Sequence, residues 1–246
     1  MREEIKKKLY LSAGTGVGAR NQIQREAWLK KTLLKVPKGK RILDAGAGEL
    51  QYKKYCKHLN YVSQDFGQYD GVGDSSGLQT QTWDNSRLDI ISDISTIPVK
   101  DKSFDAIMCI EVFEHIPHPV DAMREFSRIM KKGGLLILTV PVSSLTHFAP
   151  YYFYNGFSRY FFEKYLSEFD FEIMELSFNG NWFESLAQEM SRLPDMLDKY
   201  TNTMHLSKTE LISLNYLLRK LDKASRVDKG SSELQSHGLH VLAKKK

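Results

Sequence analysis

The sequence predicts an α/β protein built on a doubly wound, seven-stranded, mostly parallel sheet. Three observations predict it. Short apolar runs of strand length alternate with segments whose apolar residues recur at helical spacing, from "RILDAG" at Arg41 to "LLILTVPV" ending at Val142. Such alternation implies crossovers that cover both faces of a parallel sheet. A chain of 246 residues that is 41% hydrophobic and 26% charged can bury a core of that size. Two late apolar runs, "FEIMELSF" and "LHVLA", flank a long helical stretch instead of a simple crossover. The last strand is therefore expected to run antiparallel, after a helical insertion.

The elements follow in order. "NQIQREAWLKKTLLKV" places Ile23, Ala27, Leu33 and Leu34 on one helical face, and Pro37 and Gly39 end it. "RILDAG" is the first strand, "ELQYKKYCKHL" a helix and "NYVSQDF" the second strand. Gly67 to Arg87 is rich in Gly, Gln, Ser and Asp without periodicity, and is expected to be a loop. "LDIISDI" and "FDAIMCIEVF" are strands; Pro119 opens a helix carrying Val120, Met123, Phe126 and Met130, which Gly133 and Gly134 stop. After the strand "LLILTVPV" come the helix "SRYFFEKYLSEF", the strand "FEIMELSF", and helices over 182–222 broken at Pro194. The linker "KASRVDKGSSELQSHG" leads to the strand "LHVLA". One domain over 1–246 is expected, with 1–20 a flexible lead-in and 181–236 an insertion and linker serving as a lid or homodimer surface.

Several classes are excluded or disfavoured. "MREEIKKKLY" is too polar for a signal peptide, and no apolar run approaches the roughly 20 residues of a membrane helix. Two cysteines make no disulfide framework, which points to a reducing, cytoplasmic setting. The net charge is +5, but the basic residues are scattered, not interleaved with aromatics, so nucleic acid is not favoured as a partner.

Two glycine-rich stretches compete as ligand loops. "AGTGVGAR" follows a charged segment, not a buried strand, and so lacks the context a ligand loop needs. "ILDAGAG" follows a strand, where the backbone can approach a ligand without a Cβ in the way. No Gly-Lys-Ser/Thr follows, which removes a triphosphate loop; Gln51 replaces the third small residue of a dinucleotide fingerprint. Asp44 at the strand end repels a pyrophosphate and welcomes a ligand carrying positive charge.

"ILDAGAGEL" resembles the first motif, Asp-x-Gly-x-Gly-x-Gly, of the class I S-adenosylmethionine-dependent methyltransferases of small-molecule and saccharide type, with Leu50 at the third glycine position. "SDISTIP", "FDAIMCIEVFEHIPHP" and "RIMKKGGLLILTVP" resemble that family's later motifs, in order. The resemblance implies a Rossmann-like fold and S-adenosyl-L-methionine as cofactor. It assigns Asp44, Ala45, Gly46 and Gly48 to the cofactor loop, Asp65 and Phe66 to the ribose, Asp93 and Ile94 to adenine, and Glu111 to the cofactor edge.

Methyl transfer from a sulfonium is an in-line displacement, in which the protein supplies binding and orientation. A hydroxyl acceptor must also lose a proton. His115, after the fourth strand, is the first candidate base and His147 the second. The aromatic-rich "FAPYYFYNGFSRYFFEKYLSEFDF" offers Tyr151, Tyr152 and Arg159 as an acceptor wall, and Trp182 follows as a further substrate contact. No metal site is expected, because Pro117 and Pro119 prevent a helix from aligning His115 with His118. The expected function is methyl transfer to an O or N nucleophile of a small molecule, saccharide or lipid-linked intermediate. The alternative is a non-catalytic S-adenosylmethionine-binding partner subunit.

Overall fold

A computed structural model describes residues 16–246. The chain divides into two compact units. The larger, residues 25–177 with 238–246, carries the sheet; the smaller comprises residues up to Gln24 together with 178–237. Among the described residues, no helix is long and apolar enough to cross a membrane.

The sheet has seven strands: β1 Arg41–Ala45, β2 Asn60–Asp65, β3 Ile90–Ile91, β4 Phe104–Ile110, β5 Met130–Pro141, β6 Phe171–Asn179 and β7 Gly238–Lys245. Their order is β3-β2-β1-β4-β5-β7-β6. β1 pairs in parallel with both β2 and β4, and β4 pairs in parallel with β5. β7 runs antiparallel to β5, as the sequence predicts. The chain order reverses between β1 and β4, and that switch point is where open α/β sheets bind ligands.

Strand alternation sorts the core. Ile42, Ala106, Met108, Ile110 and Ile137 form one buried face with Leu29 and Leu33 of helix α1, Asn21–Leu33. The apolar positions chosen on that helix from sequence are only partly right. Ile23 and Leu34 are exposed, and Trp28 stacks on His240 at 4.6 Å instead. The covered face is set by what the sheet offers opposite, which single-helix spacing does not reveal.

Other elements depart from the sequence reading. "ELQYKKYCKHL" is a run of turns with a short 3-10 segment, Lys53–Tyr55, and no α-helix. Helix α2, Pro119–Ile129, starts on its proline but stops before the glycines. Gly133 and Gly134 lie inside β5, where Phe104 pairs with Met130 but Ala106 with Leu135. The extra residues form a bulge, and Gly133 takes the left-handed conformation at φ 80 that a bulge favours in glycine. Helix α3 spans Arg159–Glu168.

In the smaller unit, helix α4, Trp182–Tyr200, runs through Pro194 without breaking, and the interruption falls between it and α5, Lys208–Arg226. α5 starts at a capping box in which Ser207 and Glu210 satisfy each other's backbone amides, so the sequence signal for a new helix is there and not at the proline. Of the lead-in expected to be flexible, residues 1–15 lie outside the described residues. Gly16–Arg20 is anchored: Val17 packs with Ala187, Leu214 and Leu218. A Cβ on Gly18 would stand 2.4 Å from the Gln188 backbone nitrogen. The rival glycine stretch thus serves helix packing within this unit. Glu184 gathers the Gly18 amide at 2.9 Å, the Arg20 guanidinium at 2.7 Å and the Ser225 hydroxyl at 3.1 Å.

Candidate functional site

The carboxyl ends of β1, β2 and β4 build the site. Past β1 the backbone amides of Gly46 and Ala47 both donate to the Gln64 carbonyl, at 2.8 and 2.9 Å, which folds the loop over the end of β2. Asp65 then closes it. One carboxylate oxygen accepts the Gly48 amide and the other the Gly67 amide, each at 3.0 Å. Leu50 adopts φ 64, the left-handed conformation that a glycine accepts at no steric cost.

Two glycines there cannot bear side chains. A Cβ on Gly46 would meet Val112 at 2.5 Å, and one on Gly48 would meet Trp83 Cζ2 at 2.6 Å. Asp44 lies below this floor, 2% exposed, and accepts from the Tyr61 hydroxyl at 2.6 Å. Burial raises its pKa to about 7, against the hydrogen bond from Tyr61 and together with the nearby Asp65 charge. A cation reaching this carboxylate would relieve an uncompensated buried charge.

Asp93 lies two residues beyond β3. It commits Oδ1 to the Ser95 amide and hydroxyl, beside the buried Ile94. Glu111, at φ 55 just past β4, is held by Arg25 at 3.0 Å and by the Thr139 hydroxyl at 2.8 Å. Its carboxylate is thus already spent on partners within the domain. Ala45 is fully buried, and Phe66 packs edge-on against Tyr151 at 4.8 Å.

The segment 67–89 folds against residues 146–149. The Leu78 amide donates to the Thr146 carbonyl, the Phe148 amide donates to Leu78, and Leu78 bridges His147. This contact carries an aromatic relay from the glycine floor. Trp83 meets Phe148 at 5.2 Å, and Phe148 stacks on His115, also at 5.2 Å. His115 meets His147 edge-on at 4.6 Å, and Tyr152 lies 5.3 Å from His147.

The structure therefore brings together His115, His147, Tyr151 and Tyr152 with Phe66. Arg159 is instead engaged with Glu163 at 2.6 Å in the first turns of α3. Trp182 belongs to the smaller unit, where it packs on Phe183. Burial and the neighbouring His147 lower the His115 pKa to about 4, so this imidazole is neutral near pH 7. Its Nδ1 contacts the Tyr151 carbonyl at 2.6 Å, and a neutral ring must donate there, leaving Nε2 bare.

Sequence reasoning missed Glu114, Tyr61, Trp83 and Phe148. Glu114 is 1% exposed with Oε2 lacking any hydrogen-bond partner, and burial together with Glu111 raises its pKa. Its one sequence signal was a carboxylate next to His115 in a short turn, Phe113–His115.

The sheet order and the glycine floor define a Rossmann-like domain made to hold a nucleoside cofactor at its switch point. Residues 43–138 match the family described as "Methyltransferase domain". That segment is a class I S-adenosylmethionine-dependent methyltransferase domain, and S-adenosylmethionine is its cofactor. The residues present fit that cofactor: a buried carboxylate that a positive charge would relieve, a Cβ-free floor, and Asp65 at the end of β2 with lone pairs beyond those given to the Gly48 and Gly67 amides.

Among curated proteins, the ubiquinone biosynthesis O-methyltransferase of Xanthomonas oryzae pv. oryzae is 33% identical over 41% of this chain and 43% of its own. A probable tRNA methyltransferase 9B of Homo sapiens is 27% identical over 49% of this chain and 26% of its own. The chain thus spans less than half the length of these relatives. In fold, it resembles an S-adenosylmethionine-dependent methyltransferase from Archaeoglobus fulgidus. That likeness has a TM-score of 0.54 and 15% identity, over 92% of this chain and 94% of that one.

Proposed function

We propose that the protein is a cytoplasmic methyltransferase acting on an O or N nucleophile of a small molecule, a saccharide or a lipid-linked intermediate. The observation that carries this reading is the aromatic relay joining Gly48, through Trp83 and Phe148, to His115 and His147. It sets an apolar, aromatic wall beside two imidazoles at the edge of the cofactor floor. Aromatic faces exclude water and stack on flat rings or the apolar faces of sugars.

When bound, S-adenosylmethionine would supply an electrophilic methyl group for in-line transfer to the acceptor, its sulfonium leaving as the neutral thioether. Asp44, Gly46, Gly48 and Asp65 hold and orient the cofactor. Tyr151 and Tyr152 wall the acceptor, and the bare imidazole nitrogens at His115 and His147 receive the proton a hydroxyl acceptor loses. Orientation of this kind contributes about 7–11 kcal/mol in a well-aligned case.

The test uses the purified chain with methyl-labelled S-adenosylmethionine and a panel of phenols, sugars and lipid-linked sugars. Labelled product with one class, lost in a His115→Ala/His147→Ala double variant that still binds S-adenosylhomocysteine, supports the reading. Tight cofactor binding with no transfer to any of the three classes overturns it.

A further inference from the structure

We propose that Glu114, His115 and His147 form a binding site for one divalent first-row transition cation. Each offers a ligand atom, and these atoms lie within 4.8 Å of one another. The sequence directs attention to His118 as the partner of His115. The fold selects His147 instead, from a loop 32 residues on, which no local spacing rule detects.

The tethering of the two rings carries the argument. His115 Nδ1 contacts the Tyr151 carbonyl at 2.6 Å, and His147 Nδ1 contacts the Leu145 carbonyl at 2.8 Å. A carbonyl only accepts, so each Nδ1 must carry a proton, and in the neutral ring that a metal binds the lone pair then falls on Nε2. Metal-ligating histidines are held in this way, one ring nitrogen on a backbone carbonyl and the other on the metal.

Glu114 supplies the second, independent observation. It is 1% exposed, and Oε2 is buried without a hydrogen-bond partner. An orphaned buried carboxylate oxygen is costly, and a cation resolves it. Plain aromatic packing explains the edge contact of the rings, but it explains neither the matched tethers nor the orphaned oxygen.

Glu114 Oε1 lies 3.9 Å from His115 Nε2. Metal–ligand distances of about 2.0–2.2 Å require the donors to draw in by about an ångström. His147 sits on a partly exposed loop and can supply that movement by side-chain rotation. Two imidazoles and one carboxylate suit zinc, manganese or ferrous iron better than calcium or magnesium, which prefer all-oxygen shells. Three protein ligands leave coordination positions open. The role of the cation rests on the proposed function and replaces the imidazoles as the means of deprotonation: with both Nε2 lone pairs on the metal, an acceptor hydroxyl at an open position would lose its proton to water more easily.

The experiment uses tag-free full chain stripped with a chelator, titrated calorimetrically with Zn(II) and with Mn(II), without cofactor or acceptor. One equivalent should bind per chain, raising the thermal midpoint. His147→Ala, at a partly exposed loop position, and Glu114→Gln should each weaken binding by more than about 100-fold. Unfolding curves without metal show whether each variant folds. No stoichiometric binding by the parent chain, or full affinity in folded His147→Ala, overturns the site. Because S-adenosylhomocysteine binding is titrated separately, failure of the cofactor reading is distinguished from failure of the cation site.

Discussion

Asp65 spans the site's two glycine turns, taking the Gly48 amide on one carboxylate oxygen and the Gly67 amide on the other. Replacing it with Asn turns one acceptor into a donor that faces an amide. Charged hydrogen bonds are worth about 1.5–3 kcal/mol each, so S-adenosylhomocysteine affinity should fall by at least about 10-fold. Hydrogen exchange at Gly48 and Gly67 should quicken in the same variant. Unchanged affinity by calorimetry would remove the ribose assignment.

Asp44 sets a pH window. Its folded pKa is about 7 against an unfolded value of 3.8, so the native state holds the proton longer. Stability is fully present below the unfolded value and falls as pH rises through about 7. Asp44→Asn, which keeps an acceptor for Tyr61, should therefore be more stable than the parent at pH 8. At pH 4 the two should nearly coincide in urea titrations. The same variant should bind the cationic cofactor less tightly at pH 8, where the parent carboxylate is charged.

Glu184 behaves in the opposite sense. Its partners, the His237 ring, the Gly18 amide and Arg20, hold its pKa near 2 despite burial, against 4.5 unfolded. The stability it confers is present above 4.5 and disappears as pH falls towards 2. Glu184→Gln should lose about 1–3 kcal/mol at pH 7, because the Gly18 amide and the Arg20 guanidinium lose a charged acceptor, although Asp222 still pairs with Arg20. Its unfolding free energy should also vary less with pH between 4.5 and 2.

Trp83 reports on the floor it covers. Its ring stands where a Cβ of Gly48 would be, so cofactor entering that floor changes its surroundings. Titration with S-adenosylhomocysteine should alter tryptophan emission, and Trp83→Phe should abolish most of the change although Trp28 and Trp182 remain.

Much of the frame was legible, because each apolar run ends in a residue with one structural meaning. Asp44 and Asp65 stand at strand ends, and Pro119 fixes a helix start. The failures have local causes. Pro194 is accommodated inside α4, twelve residues after the helix begins, where existing turns carry the helix past one missing donor. The apolar residues of "ELQYKKYCKHL" pack Tyr52, Cys56 and Leu59 onto the sheet from turns, a spacing close enough to 3.6 to imitate a helix. The His115–His147 pair depends on two loops meeting, Glu114 and His115 bonding to the backbone of 151–154, and loops carry no periodicity by which a partner can be read.

The smaller unit leaves the sheet at the end of β6 and rejoins it at β7, and its neck is closed by the His237 amide donating to the Asn179 carbonyl at 2.9 Å. An excursion whose entrance and exit already touch imposes no register on the strands beside it. The pairing of β5 with β7 is thus insulated from the length of the excursion that separates β6 from β7.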